Sequence, residues 1–212
     1  MASLENLVEA IRDYDADNAR KWATTAMEEG VDPLAALDAV SELMKDVGDR
    51  FGREELWLPE LIGAADAAMA GLAVVEKEIL ATGKEAKRLG TVVIGTVLGD
   101  IHSVGKSMVS ALLAANGFKV VDLGTNVPAE EFVAAAEREQ ADILGMSALL
   151  TTTAPEQRKV IEALKKAGSR HKVKVMVGGG AITPEFAKQI GADGFRATAP
   201  EAVELAKSLM AQ

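Results

Sequence analysis

Asp100 and His102 stand two residues apart in the stretch LGDIHSVGKS, 98–107, directly after a run rich in Val and Ile. His102 is one of only two histidines in 212 residues. A histidine that ligates a metal commonly gives its other ring N–H to a carboxylate, which fixes the tautomer and raises the basicity of the ligating nitrogen. An aspartate and a histidine at i and i+2 of a loop can make that contact. On these two residues alone, a solvated loop histidine beside a helix-capping aspartate is the simpler reading. Two further groups follow strand-like runs: Ser147 and Leu149 ahead of Thr151 and Thr153, and the glycines Gly178, Gly179 and Gly180. Glycine loops suit phosphates. However, Gly105-Lys106-Ser107 lacks the earlier glycine at the offset a P-loop needs, and GGGA at 178–181 is not GxGxxG. The acidic pair and the late lysine expected of a phosphorylated receiver domain are also missing.

The elements that must position these residues fall into two groups. Residues 1–82 read as four amphipathic helices: 4–14 capped by Ser3, one capped by Asp15 and stopped by Gly30, one opened by Asp32-Pro33, and one opened by Pro59. A capping carboxylate followed by proline is a strong start signal, because proline's missing N–H has no partner to lose there. Four such helices with short connections imply a small bundle. Residues 83–89 are charged and read as a linker. From 90 to 212, short apolar runs at 91–97, 119–123, 142–148, 172–179 and 193–197 alternate with helices near 105–116, 128–139, 155–168, 184–190 and 199–210. That alternation predicts a five-stranded parallel sheet with helices on both faces, in the flavodoxin-like order 2-1-3-4-5. Ligands of such sheets bind beyond the carboxyl ends of the strands, where the strand order reverses. Asp100–Gly105, Ser147–Thr153 and Gly178–Gly180 all leave strands at that edge.

Composition narrows the function. The net charge of -9 argues against nucleic acid or an anionic membrane as the main partner. With no cysteine, disulfides, thiolate metal sites and cysteine nucleophiles are excluded. No apolar run reaches the roughly 18 residues of a membrane span. The N-terminus lacks the basic start and apolar block of a secretory signal, so a cytoplasmic protein is expected.

The full spacing, Asp100-x-His102-x-x-Gly105, then 41 residues, Ser147-x-Leu149, then 28 residues, Gly178-Gly179, is similar to the motif of cobalamin-binding domains. The whole chain resembles the cobalamin region of methionine synthase and the corrinoid proteins of methanol, methylamine and aryl-ether methyltransferases. The segment VVDLGTNVPAEEFVAAA, 120–136, strengthens the likeness; there Asp122 and Pro128 read as strand end and helix start. The resemblance implies that His102 is the lower axial ligand of cobalt, with Asp100 tuning it. Ile101, Ser103 and Val104 would lie beside the cofactor. The cofactor's nucleotide tail would enter a slot left open by Gly105, Gly178 and Gly179, with Ser147 bonding its base and Leu149 packing on it. A hydroxyl from Thr153 or Thr151 would complete the proton-linked chain. Trp57, in LWLPELIGAADAAM at 56–69, would shield the upper face of the ring. Lys106 is expected to cap or solvate its loop, and His171, in a basic turn, to be solvated.

The function so implied is that of a methyl-carrying subunit without its own catalytic acid or nucleophile. It would shuttle between methylcobalamin and cob(I)alamin, or a related corrinoid. Its partners would be a substrate-specific methyltransferase, a second methyltransferase serving tetrahydrofolate or a thiol such as coenzyme M, and a reductive activator. The competing readings are a cobalamin-based sensor and the small subunit of a cobalamin-dependent mutase.

Overall fold

The computed structural model describes residues 2–82 and 88–211. Most of the expected linker, 83–87, lies outside the described residues. The chain divides into two compact units, one built on the four N-terminal helices and one on the strands.

The first unit contains α1 (Ala2–Arg12), α2 (Ala16–Glu28), α3 (Pro33–Gly52) and α4 (Leu58–Thr82). Asp15 accepts a hydrogen bond from the Asn18 N–H at 2.9 Å, and Asp32 one from Leu34 at 3.1 Å, so both expected caps are present. Ser3 is not a cap. It sits buried in the first turn of α1 and donates to the Glu29 carboxylate at 2.7 Å. Leu7 and Ile11 of α1, Val40 and Met44 of α3, and Leu61 and Val75 of α4 are fully or almost fully buried. Each contributes roughly 1.5–3 kcal/mol. Leu58–Ile79 is long and apolar enough to cross a membrane by composition, which the sequence reading did not anticipate. Here that helix is the spine of the bundle: Ala64, Ala65, Ala67 and Ala68 are buried against its neighbours.

The second unit has β1 (Thr91–Thr96), α5 (Val104–Ala115), β2 (Lys119–Asp122), α6 (Ala129–Arg138), β3 (Ile143–Ser147), α7 (Ala154–Lys166), β4 (Lys174–Gly178), α8 (Pro184–Ile190), β5 (Gly194–Phe195) and α9 (Ala199–Met210). The strands are parallel in the expected order β2-β1-β3-β4-β5. Strand residues alternate between faces. Val93, Leu144, Val175 and Val177 join a core with Phe132 of α6 and Ile161 and Leu164 of α7. Val92, Ile94, Ile143 and Met176 face the opposite way, toward α5 and α9. β5 is only two residues long, against the five expected, because Arg196 and the residues after it have already turned away toward α9.

Register places the site. Thr96 pairs with Ser147, and Ser147 with Gly178. The last residues of β1, β3 and β4 therefore form one row at the carboxyl edge. The β1 and β3 connections leave this row in opposite directions, the arrangement that opens a crevice.

Candidate functional site

The loop after β1 is held from both sides. The Thr96 hydroxyl donates to the His102 carbonyl at 3.0 Å, and the Gly99 N–H to the Asn126 side chain at 2.7 Å. The Asn126 N–H in turn donates to the Asp100 carbonyl at 2.9 Å. Asn126 has φ +56°, a conformation asparagine tolerates better than most residues. Its place in GTNVP was the available signal for this clamp, and the sequence reading missed it.

Asp100 has no exposed surface. Its Oδ1 accepts from the His102 N–H at 3.1 Å and from His102 Nδ1 at 2.8 Å. Its Oδ2 accepts from the Leu149 N–H at 2.8 Å and the Thr153 hydroxyl at 2.7 Å, with Leu150 N–H at 3.4 Å. Burial alone would raise this carboxyl's pKa. The bonds from Thr153, from the His102 backbone and ring, and from Leu149 outweigh burial and hold it well below the usual carboxylate range. An ionised carboxylate accepts and does not donate. Nδ1 of His102 therefore donates to it, which leaves Nε2 as the ring nitrogen free to meet a metal. The His102 side chain is 48% exposed, in contrast to the fully buried Asp100.

The side chains around it are unusual for a loop in water. Ile101 is 75% exposed and Val104 64%, and Leu149 and Leu150, drawn in by their hydrogen bonds to Asp100, are also exposed. Exposed apolar side chains on the His102 loop and on the loop bonded to the same carboxylate mark a binding surface for a broad, largely apolar partner. Of the two expected hydroxyls, Thr153 completes the chain. Thr151 is exposed and makes no bond to Asp100.

Between the sheet and helices α5 and α9 runs a slot of about 600 Å³. Val92, Ile94, Ile143 and Met176 line its floor, and Met108 and Val109 of α5 line one wall. Gly105, Ser147 and Gly178 line it at the carboxyl edge of the sheet. A Cβ at Gly105 would meet nothing within 4 Å, and one at Gly178 would reach only the Arg196 carbonyl at 3.8 Å, so both glycines face open space. Gly179 lines the slot as well, and it is constrained more tightly than the other two. Its φ is +113°, and a Cβ there would fall 2.0 Å from the Ala148 carbonyl oxygen, so backbone packing demands this glycine. Lys106 is not solvated. It is buried and paired with Asp122 at the end of β2, tying the first turn of α5 to the sheet. His171 lies exposed in a short 3-10 turn, as expected. Trp57, directly before α4, is 80% exposed in the helical unit.

Among the described residues no three His, Cys, Asp or Glu side chains cluster as a metal site. A lone imidazole nitrogen among apolar side chains, with a slot opening at Gly105, fits a different donor set. It fits the corrinoid that the resemblance implies, which brings its own equatorial ligands and needs a slot for its nucleotide tail.

Residues 90–207 match the family described as "B12 binding domain", and residues 3–76 match a second family of the same description. The chain is 40% identical over 215 residues to the trimethylamine corrinoid protein of Methanosarcina barkeri, covering 99% of each. It is 42% identical over 214 residues to dimethylamine corrinoid protein 2 of Methanosarcina acetivorans, again covering 99% of each. Among solved structures it resembles a chain of the methanol:cobalamin methyltransferase complex MtaBC from M. barkeri. There the TM-score is 0.79 at 33% identity, over 99% of this chain and 80% of that one. The M. barkeri monomethylamine corrinoid protein matches with a TM-score of 0.54 at 32% identity, over 96% of each chain.

Proposed function

The chain belongs to the corrinoid proteins built on B12 binding domains, and from that premise we propose that it carries a methyl group from a substrate-specific methyltransferase to a second methyltransferase. When bound, the cobalt of the corrinoid supplies the centre that accepts and releases the methyl group. The protein's residues hold and tune that centre. His102 would hold the metal through Nε2, because the bond to Asp100 occupies Nδ1 and leaves Nε2 as the free ring nitrogen. Thr153, Leu149 and Leu150 hold the Asp100 carboxylate in place and ionised. Ile101, Val104 and Leu149 supply an apolar bed around the imidazole. Gly105 and Gly178 leave the slot open for the nucleotide tail, and the Ser147 hydroxyl lines it as a hydrogen-bonding group for the base. Trp57 is the aromatic side chain proposed to shield the upper face. The methylamines and methanol named for its relatives favour a methylated amine or an alcohol as donor. Tetrahydrofolate or a thiol as final acceptor, and a reductive activator as third partner, complete the proposal.

One observation carries this reading: a buried carboxylate orients an exposed imidazole three residues before Gly105, which lines an apolar slot. The test is methyl loading. Protein reconstituted with hydroxocobalamin and reduced is mixed with candidate methyltransferases and labelled methanol, methylamines or methoxyaromatics. Label should reach the loaded protein with one donor class. Protein that holds the corrinoid but takes label from none of them would contradict the carrier role.

A further inference from the structure

The slot is apolar along its floor, and its charged side chains are few. Of the residues that line it, only Lys106 and Arg196 are cationic, and none is acidic. Lys106 is already committed, buried in its ion pair with Asp122. Arg196 is not. Its guanidinium Nη1 donates to the carbonyl of its own neighbour, Phe195, at 2.7 Å, and among the described residues no carboxylate pairs with it. The nearest acidic groups in sequence do not compete. Asp193 is taken by Arg170 and the Val175 N–H, and Glu201 on the first turn of α9 lines a second cavity with Arg196 without forming an ion pair to it.

Position adds to availability. Phe195 pairs with Val177 in the sheet, so Arg196 stands level with Gly178 at the carboxyl edge, where the slot opens. Deeper in, Val92 and Ile143 pair and are almost wholly buried, with no ionised partner to offer. The nucleotide tail of a corrinoid carries one negative phosphodiester between the ring and the terminal base. An anion drawn into an apolar slot without a partner loses several kcal/mol of hydration. A guanidinium matches phosphate oxygens in a fork of donors.

We propose that Arg196 is a cofactor-binding residue that holds the phosphodiester of the nucleotide tail at the mouth of the slot, an inference that rests on the corrinoid reading above. The N-terminus of α9 is a weaker candidate for this task, because its Thr198 cap is engaged with the Glu201 N–H and Glu201 places a negative charge in the first turn. The tail base fills the apolar interior, and Arg196 supplies the charge that the interior lacks.

The test compares two probes: hydroxocobalamin, and diaquocobinamide, which has the same corrin ring but no phosphodiester, ribose or base. Dissociation constants are measured for the wild type, Arg196→Met and Arg196→Lys. Arg196 is exposed, so the substitutions leave the fold intact, which thermal melting checks. Arg196→Met should weaken cobalamin binding by about tenfold to a hundredfold, the range of a charged hydrogen-bonded contact. Its cobinamide binding should stay unchanged, and Arg196→Lys should restore part of the loss. Unchanged cobalamin binding by Arg196→Met, or an equal loss for both probes, would overturn the proposal. A wild-type protein that binds neither probe would overturn the corrinoid premise and this proposal with it.

Discussion

Nδ1 of His102 lies 2.8 Å from Oδ1 of Asp100, a carboxylate with no surface in contact with water. The other oxygen of that carboxylate is tied to the loop after β3 through Leu149 and Thr153. One aspartate thus sets the imidazole's tautomer and joins the loops of two adjacent strands at the point where the sheet's connections diverge.

Asp100→Asn should therefore act on both stability and chemistry. The amide puts an NH2 where a carboxylate oxygen now accepts from N–H or O–H groups. The loss should be about 2 kcal/mol or more in urea unfolding, because charge-assisted bonds to buried donors are each worth about 1.5–3 kcal/mol. The wild type should also lose more stability in acid than this variant. The pKa of Asp100 is lower in the folded chain than in the unfolded one. Its contribution is therefore complete above the unfolded value near 3.8 and declines as pH falls below it. Unfolding free energies from pH 7 to pH 3 should run parallel for the two proteins until about pH 4, and then converge. A constant gap down to pH 3 would show that the carboxylate is not held ionised by the fold.

The two glycines after β4 should separate. Gly178→Leu has room in the apo protein and should fold normally, yet block corrinoid uptake by entering the slot. Gly179→Ala should lose at least about 2 kcal/mol of stability from its backbone conformation and its collision with Ala148. Chemical denaturation and cobalamin titration of both variants check this. Tight cobalamin binding by Gly178→Leu would mean that the tail does not use this slot.

These two glycines also show what the sequence could and could not reveal. Alternating runs and the Asp32-Pro33 start were legible because caps and periodicity are local. The convergence of the Asp100, Ser147 and Gly178 loops was legible because strand ends in a parallel sheet meet on one edge, and their spacing was legible through its resemblance to the cobalamin-binding motif. Contacts set by tertiary packing were not. Gly179 looked like Gly178 until the Ala148 backbone came within reach. Lys106 looked like a solvated loop cation, since its partner Asp122 is 16 residues away at the end of β2. Ser3 had the composition of a cap but was drawn into α1 by the carboxylate of Glu29. Thr151 and Thr153 were equivalent by type, and the turn entering α7 buries only the second, beside Asp100.

Trp57→Ala should barely change stability, within about 0.5 kcal/mol, because an exposed side chain gives up little packing on truncation. If Trp57 shields the upper face, the reduced, corrinoid-loaded variant should reoxidise in air-saturated buffer faster than the wild type. Stopped-flow absorbance measures both rates. Equal rates would remove Trp57 from the account and leave the helical unit as a docking module.

The central claim is that Nε2 of His102 is the lower ligand of cobalt, and electron paramagnetic resonance of the cobalt(II) form tests it most directly. Protein loaded with cobalamin is prepared with unlabelled and with 15N-labelled histidine, as wild type and as His102→Ala. The account predicts that the axial nitrogen superhyperfine splitting changes from a three-line to a two-line pattern on labelling the wild type, and is absent in His102→Ala. A splitting unaffected by histidine labelling, or retained in His102→Ala, would show that another group binds cobalt and would contradict the account.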